Sequence, residues 1–218
     1  PGEVETVVER YGKTPPWHMQ SLGLLNGRTV LAHGVHLSQD EIELLAKNGS
    51  SVVHCPISNL KTAAGFAPVA ALREAGVPVL LGTDGTATSN DLDMWKVMRF
   101  TALIHRGLNG DPTTNPAVEV VQMATSQAAQ ALGLGQQLGS LETGKSADLI
   151  LVDLDQPHLT PLYDVYSHLV YAAGREDVRA TMIDGRWVMQ AGELTSLDES
   201  AVMDQVRGLV EQIKADTA

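Results

Sequence analysis

The sequence predicts an α/β fold, a parallel sheet built from βαβ units followed by a smaller β unit. Three observations carry that expectation. Short apolar runs recur at residues 29–32, 51–53 and 78–81, the pattern of strands buried on both faces of a parallel sheet. Helical segments lie between them with short connections, the order expected of right-handed βαβ units. A polar, reactive side chain follows each run, namely His33, His54 and Asp84. In α/β sheets, open or closed, that carboxy edge carries the chemistry.

Taken in order, residues 4–11 are Glu-rich with helical spacing, and residues 21–25 read as a short helix ahead of the turn at Asn26-Gly27. Ser38, with Glu41 three residues later, forms a capping box for a helix that stops near Asn48-Gly49. A helix over 68–75 stops at Gly76. Residues 91–106 and 116–132 read as two longer helices, the first capped by Asn90 and Asp91. After about residue 138 the pattern changes. A turn-rich segment, 141–145, precedes an apolar run over 147–153, and Asp184-Gly185 between two further apolar runs is a two-residue hairpin signal. Residues 200–215 form an amphipathic helix. The expected division is therefore an α/β part over 1–138, a small β unit over 139–195 and a closing helix over 196–218.

Composition narrows the function. A chain of 218 residues, 44% hydrophobic, has enough apolar material for a substantial core. A net charge of -11 argues against nucleic acid and against an anionic membrane surface, both of which need clustered Lys and Arg. The single cysteine, Cys55, excludes an internal disulfide and fits a reducing compartment, so a cytoplasmic location is the expectation. The acidic opening Pro1-Gly2-Glu3-Val4-Glu5 does not resemble a signal peptide, and no apolar run is long enough to span a membrane. The absent initiator Met leads us to expect that the chain starts inside a longer polypeptide.

The motifs are more specific. Leu31-Ala-His-Gly-Val-His-Leu37 is followed by Val53-His-Cys-Pro-Ile-Ser-Asn-Leu-Lys61, Leu81-Gly-Thr-Asp-Gly85 and Ser89-Asn-Asp-Leu-Asp-Met94. Gly139-Ser-Leu-Glu-Thr-Gly-Lys-Ser-Ala-Asp-Leu149 closes the series. In this order and spacing the sequence resembles the amidohydrolase superfamily, and within it the deaminases of S-adenosylhomocysteine and methylthioadenosine. The resemblance implies a metal-dependent (β/α)8 TIM barrel with a small β-sandwich unit beside it. It also implies a Zn²⁺ or other divalent ion, held by a His-x-His pair on the first strand, a His on the fifth and an Asp on the eighth. No His-x-His occurs here, and a whole barrel typically needs about 250 residues. The expectation is thus a fragment carrying the sixth, seventh and eighth barrel strands. The first five strands and most metal ligands would lie upstream, in a missing N-terminal half that acts as partner.

By the same resemblance Asp84 is both a metal ligand and the catalytic acceptor of a proton from the attacking water. His33 is the catalytic imidazole that steadies the developing charge. Thr88 stands where related enzymes often carry a substrate-contacting Ser, and its hydroxyl comes with a methyl that stiffens χ1. His54 and Asn59 are candidates for binding substrate, with loop scaffolding as the other reading. His36 is read as structural, Cys55 as a small buried residue, and His18, His105, His158 and His168 as surface or helix residues. The implied reaction is hydrolytic deamination of an adenosine-type thioether nucleoside, the isolated chain being inactive and the complete enzyme a homo-oligomer. Two alternatives stay open: a guanine, pterin or triazine hydrolase, and a non-catalytic ligand-binding fragment.

Overall fold

The computed structural model describes residues 2–217; Pro1 and Ala218, which end the first and last expected segments, lie outside the described residues. The chain opens with α1 (Gly2–Tyr11) and α2 (Pro15–Ser21). The helix expected at 21–25 is displaced toward the amino end. Pro15 and Pro16 occupy the first helical positions, where a missing N–H costs nothing, and Gly23 at φ +69° turns the chain out.

The expected parallel sheet is present. Strand β1 (Val30–Ala32) leads into α3 (Gln39–Asn48), then β2 (Ser51–His54), α4 (Pro56–Lys61), α5 (Val69–Glu74) and β3 (Val79–Leu81). The three strands pair in parallel, in the order β1-β2-β3. The capping box of α3 forms as its residues dictate, with Ser38 Oγ accepting from the Glu41 amide and the Glu41 carboxylate accepting from the Ser38 amide. Gly49 ends α3 in the left-handed conformation that suits glycine.

Next come α6 (Thr86–Ser89), α7 (Met94–Asn109), α8 (Ala117–Ala124) and α9 (Ser126–Ala131). Three expectations are corrected here. The segment 116–132 is two helices, because Thr125 leaves helical geometry at φ -132° and ψ -98°. The cap of α7 is Asp93, whose carboxylate accepts from the amides of Trp95 and Lys96; Asp91 instead pairs with Lys96, and Asn90 is left-handed. Ser58 and Asn59 lie on the short helix α4, started by Pro56, rather than in a loop.

Helices α3, α5, α7 and α8 cover one face of the sheet. Ile42, Leu45, Val52, Leu72, Val79, Val97 and Met123 are buried there in one cluster. Each such side chain contributes about 1.5–3 kcal/mol relative to an exposed one. Strand β1 departs from the buried pattern read for residues 29–32. Val30 is 36% exposed, whereas β3, the other edge of this sheet among the described residues, is buried throughout.

The rest of the chain carries a second, antiparallel sheet and, between its first two strands, a helix that packs on α7 and α8. Strand β4 (Leu149–Val152) and α10 (Val165–Tyr171) precede β5 (Val178–Ile183), β6 (Arg186–Gln190) and β7 (Glu193–Leu194), paired in the order β4-β5-β6-β7. The hairpin at Asp184-Gly185 joins β5 to β6 with φ +48° and +74° at its two residues, the signs of a type I′ turn. The chain closes with α11 (Glu199–Thr217), whose apolar residues Val202, Val206 and Leu209 are exposed. Among the described residues no helix is long and apolar enough to cross a membrane.

Candidate active site

The site lies at the carboxy edge of the parallel sheet, where the backbone turns sharply twice. His33, directly after β1, has φ +67°, and Asp84, three residues after β3, has φ +60°. Left-handed conformations at non-glycine residues cost about 1–3 kcal/mol each and persist where the surroundings hold them. The approach to Asp84 also demands Gly82, since a Cβ there would stand 2.6 Å from Val53 Cγ1.

Asp84 is held on both oxygens. Ser58 Oγ donates to Oδ2 at 2.5 Å and Thr88 Oγ1 donates to the same oxygen at 2.8 Å, while the Gly85 amide donates to Oδ1 at 2.6 Å. The Ser58 hydroxyl first, then the Gly85 amide, the Thr88 hydroxyl and the nearby His33, hold its pKa down to about 2. Asp84 is therefore a carboxylate throughout the neutral range. Helix α4 supplies Ser58 and α6 supplies Thr88, and Lys61 Nζ at the end of α4 latches the two by donating to the Ala87 carbonyl at 2.9 Å.

His33 lies beside this clamp. Its Nε2 is 4.0 Å from Asp84 Oδ2, and its Nδ1 is 2.9 Å from Asn59 Oδ1. His33, Asn59, Asp84 and Thr88, four of the five side chains singled out in the sequence, line one cleft of about 490 Å³. Its walls also include Leu31, Val35 and Met19, and His36 lines it too, from the segment after β1.

The fifth, His54, is not brought into the cleft. Side chains alternate along a strand, so His54 shares a side with Val52, the side packed by helices. There it is buried against His105 of α7, Nε2 to Nε2 at 3.1 Å. Burial first, and then the fields of His105 and His33, push the His54 pKa down to about 3; burial also lowers that of His105. Of the surface or helix placement read for His105, the helix holds, and the residue is buried there. Its spacing from Val97 and Thr101 on the buried stripe of α7 is the signal that reveals it. Cys55 is buried, as expected. Burial, and secondly the charge of Asp84, raise its pKa to about 11, which leaves it an unreactive thiol at neutral pH.

The profile of the amidohydrolase family matches residues 1–188. The chain belongs to that family. Among individual amidohydrolases, a 5-methylthioadenosine/S-adenosylhomocysteine deaminase of Moorella thermoacetica is 49% identical over 205 residues, covering 94% of this chain and 48% of that protein. A deaminase of the same name from Halobacterium salinarum is 47% identical, covering 98% of this chain and 49% of the other. In three dimensions, the chain is similar to a crystal structure of an adenosine deaminase from Xanthomonas campestris with bound zinc. That similarity has a TM-score of 0.94 at 41% identity and covers 98% of this chain and 48% of the other. The chain spans about half the length of the curated relatives it matches.

Among the described residues no group of three or more His, Cys, Asp and Glu side chains is placed to hold a metal ion. A tetrahedral zinc site needs three or four such ligands. The described residues of this amidohydrolase chain therefore do not make up such a site by themselves; Asp84 offers a single carboxylate of the kind it uses.

Proposed function

We propose that this chain is the carboxy-terminal half of a hydrolytic deaminase, carrying the sixth, seventh and eighth strands of a (β/α)8 barrel as β1, β2 and β3. The observation that carries the reading is the Asp84 clamp, a fully ionised carboxylate fixed by three hydrogen bonds beside His33 at the carboxy edge of a parallel sheet. The upstream half would supply the remaining ligands of a Zn²⁺ or other divalent ion. The open sides of β1 and β3 are where that half would pair, closing the barrel. The four-stranded sheet of β4 to β7 would become a β-sandwich in the same assembly; exposed Ile150 and Ile183, on one face of the sheet, support a second layer over it.

The chemistry assigned to this chain follows from its groups. A bound divalent ion supplies Lewis acidity toward a water molecule. Asp84 accepts a proton from that water as its oxygen bonds to the amine-bearing carbon of an adenine ring. His33, beside Asp84, steadies the charge that develops there. Asp84 returns that proton to the exocyclic amine, the carbon–nitrogen bond breaks, ammonia departs, and the ring becomes hypoxanthine. Thr88, bonded to Asp84 and lining the cleft, lies within reach of the substrate, and Asn59, buried at the cleft wall, meets His33 instead. The substrate class, an adenosine-type nucleoside with a thioether such as S-adenosylhomocysteine or methylthioadenosine, rests on the named activities of the relatives. A cytoplasmic homo-oligomer is the proposed setting.

The test is an Asp84→Asn exchange in a polypeptide that joins this chain to an upstream half, followed by the ultraviolet change as adenine becomes hypoxanthine. Losing a general base typically lowers the rate by about 10²–10⁴-fold, and that loss is expected here. Undiminished turnover by the Asn variant would remove Asp84 from the mechanism, and with it the reading.

A further inference from the structure

The notable fact about the His33 ring is what stands behind it. Asn59 is 2% exposed, sits on the first turns of α4, and places its carbonyl oxygen 2.9 Å from His33 Nδ1. With the amide oxygen turned toward the ring, as it stands here, a hydrogen bond at that distance requires the proton to be on Nδ1, because Oδ1 carries none. The imidazole ring of a neutral histidine has one N–H in all, which leaves Nε2 with a bare lone pair. Nε2 is the nitrogen that faces Asp84, at 4.0 Å. The other polar atom of the amide, Nδ2, is buried without a hydrogen-bond partner among the described residues. The backbone of Asn59 is fixed at the same time, its N–H donating to the Cys55 carbonyl and its carbonyl accepting from Ala64.

From this geometry we infer that Asn59 is a positioning residue, one that selects the Nδ1–H tautomer of His33 and so presents a hydrogen-bond acceptor, not a donor, to the cleft. The consequence for specificity of role is direct. An acceptor at Nε2 can take a hydrogen bond from a water or from a protonated ring nitrogen, whereas an Nε2–H would compete for the Asp84 carboxylate. Helix α4 thereby sets both functional groups from adjacent positions, Ser58 holding Asp84 and Asn59 holding His33. The role in turnover rests on the deaminase reading given above; the tautomer assignment does not.

The experiment keeps those two apart. The chain is labelled with ¹⁵N, and long-range ¹H–¹⁵N correlations of the His33 ring are recorded at mildly alkaline pH, where an ordinary imidazole is neutral. The expected pattern is Nδ1–H in the wild type, retained in Asn59→Asp, which keeps an acceptor oxygen, and lost in Asn59→Leu, which has none. An Nε2–H pattern in the wild type, or a Leu variant indistinguishable from it, overturns the inference. If the Leu variant fails to give a dispersed amide spectrum, the wild-type pattern alone still decides. In the two-half polypeptide, Asn59→Leu should lower kcat by about 10–100-fold, the range seen when the partner of a functional imidazole is removed, with KM little changed. An equal loss in the Asp and Leu variants would also refute the tautomer role. A wild type that turns over no nucleoside defeats the deaminase reading and leaves the spectroscopic result to decide the tautomer.

Discussion

Acidification from pH 7 to pH 5 should destabilise this fold through one buried pair. His54 and His105 meet Nε2 to Nε2 at 3.1 Å, a contact that needs one shared proton and admits no second one without repulsion. In the unfolded chain each ring takes up a proton near its ordinary pKa of about 6.5, whereas folded His54 resists until about pH 3. The stability from its neutral form is therefore present above about pH 6.5 and is lost as pH falls toward 3. At pH 5 the unfolded state gains from protonating His54 alone by about 1.5 pKa units, or about 2 kcal/mol. His105, whose pKa is lowered too, adds in the same direction. Urea unfolding followed by tryptophan fluorescence measures the loss, and a slope of about 2 kcal/mol/M converts it to a midpoint about 1 M lower at pH 5. A double variant, His54→Leu with His105→Phe, should be far less sensitive across the same interval. Wild-type midpoints that coincide at the two pH values, or a double variant as sensitive as the wild type, would refute the argument.

Three further outcomes are expected. Titrating Zn²⁺ into the isolated chain by calorimetry should show no tight, stoichiometric binding, because one carboxylate and a neighbouring imidazole do not make a four-ligand site. Gly82→Ala should lower stability by about 1–3 kcal/mol in a thermal or urea melt, since its Cβ would intrude to 2.6 Å from Val53 Cγ1; an unchanged melt would show that Val53 yields freely. Cys55, with its thiol raised to about 11 and its side chain buried, should react with a thiol reagent at neutral pH only as the chain unfolds, so equal rates with and without denaturant would contradict the structure.

Local signals were the legible ones. Ser38 and Glu41 name their own helix start, and Asp184-Gly185 its own hairpin, because each interaction closes within three or four residues. The α/β order was readable for the same reason, from short apolar runs bounded by turns. The division at Thr125 was hidden because the residues on either side of it are helix formers, and only the chain's path decides where such a run breaks. Helix α4 was missed at six residues, too short to show a period. Within the site, the Asp84 motif was visible, but its partners were not. Ser58 and Asn59 reach across 26 residues of sequence to Asp84 and His33, and only folding brings those pairs together. The placement of His54 turned on which side of β2 it occupied. That was decided by burial of Val52 against the helices, a tertiary fact.

All the hydrogen bonds described here around Asp84 and His33 close within this one chain: Ser58, Gly85 and Thr88 on the carboxylate, Asn59 on the imidazole. On the proposed reading, an upstream half that pairs along β1 and β3 would meet the Asp84 and His33 side chains already fixed in place. Such a partner would need to bring ligands and matching strands, with little ordering of these side chains left to oppose association. Assembly becomes a docking of two preset surfaces, and errors at the seam would tell on affinity before they told on the chemistry.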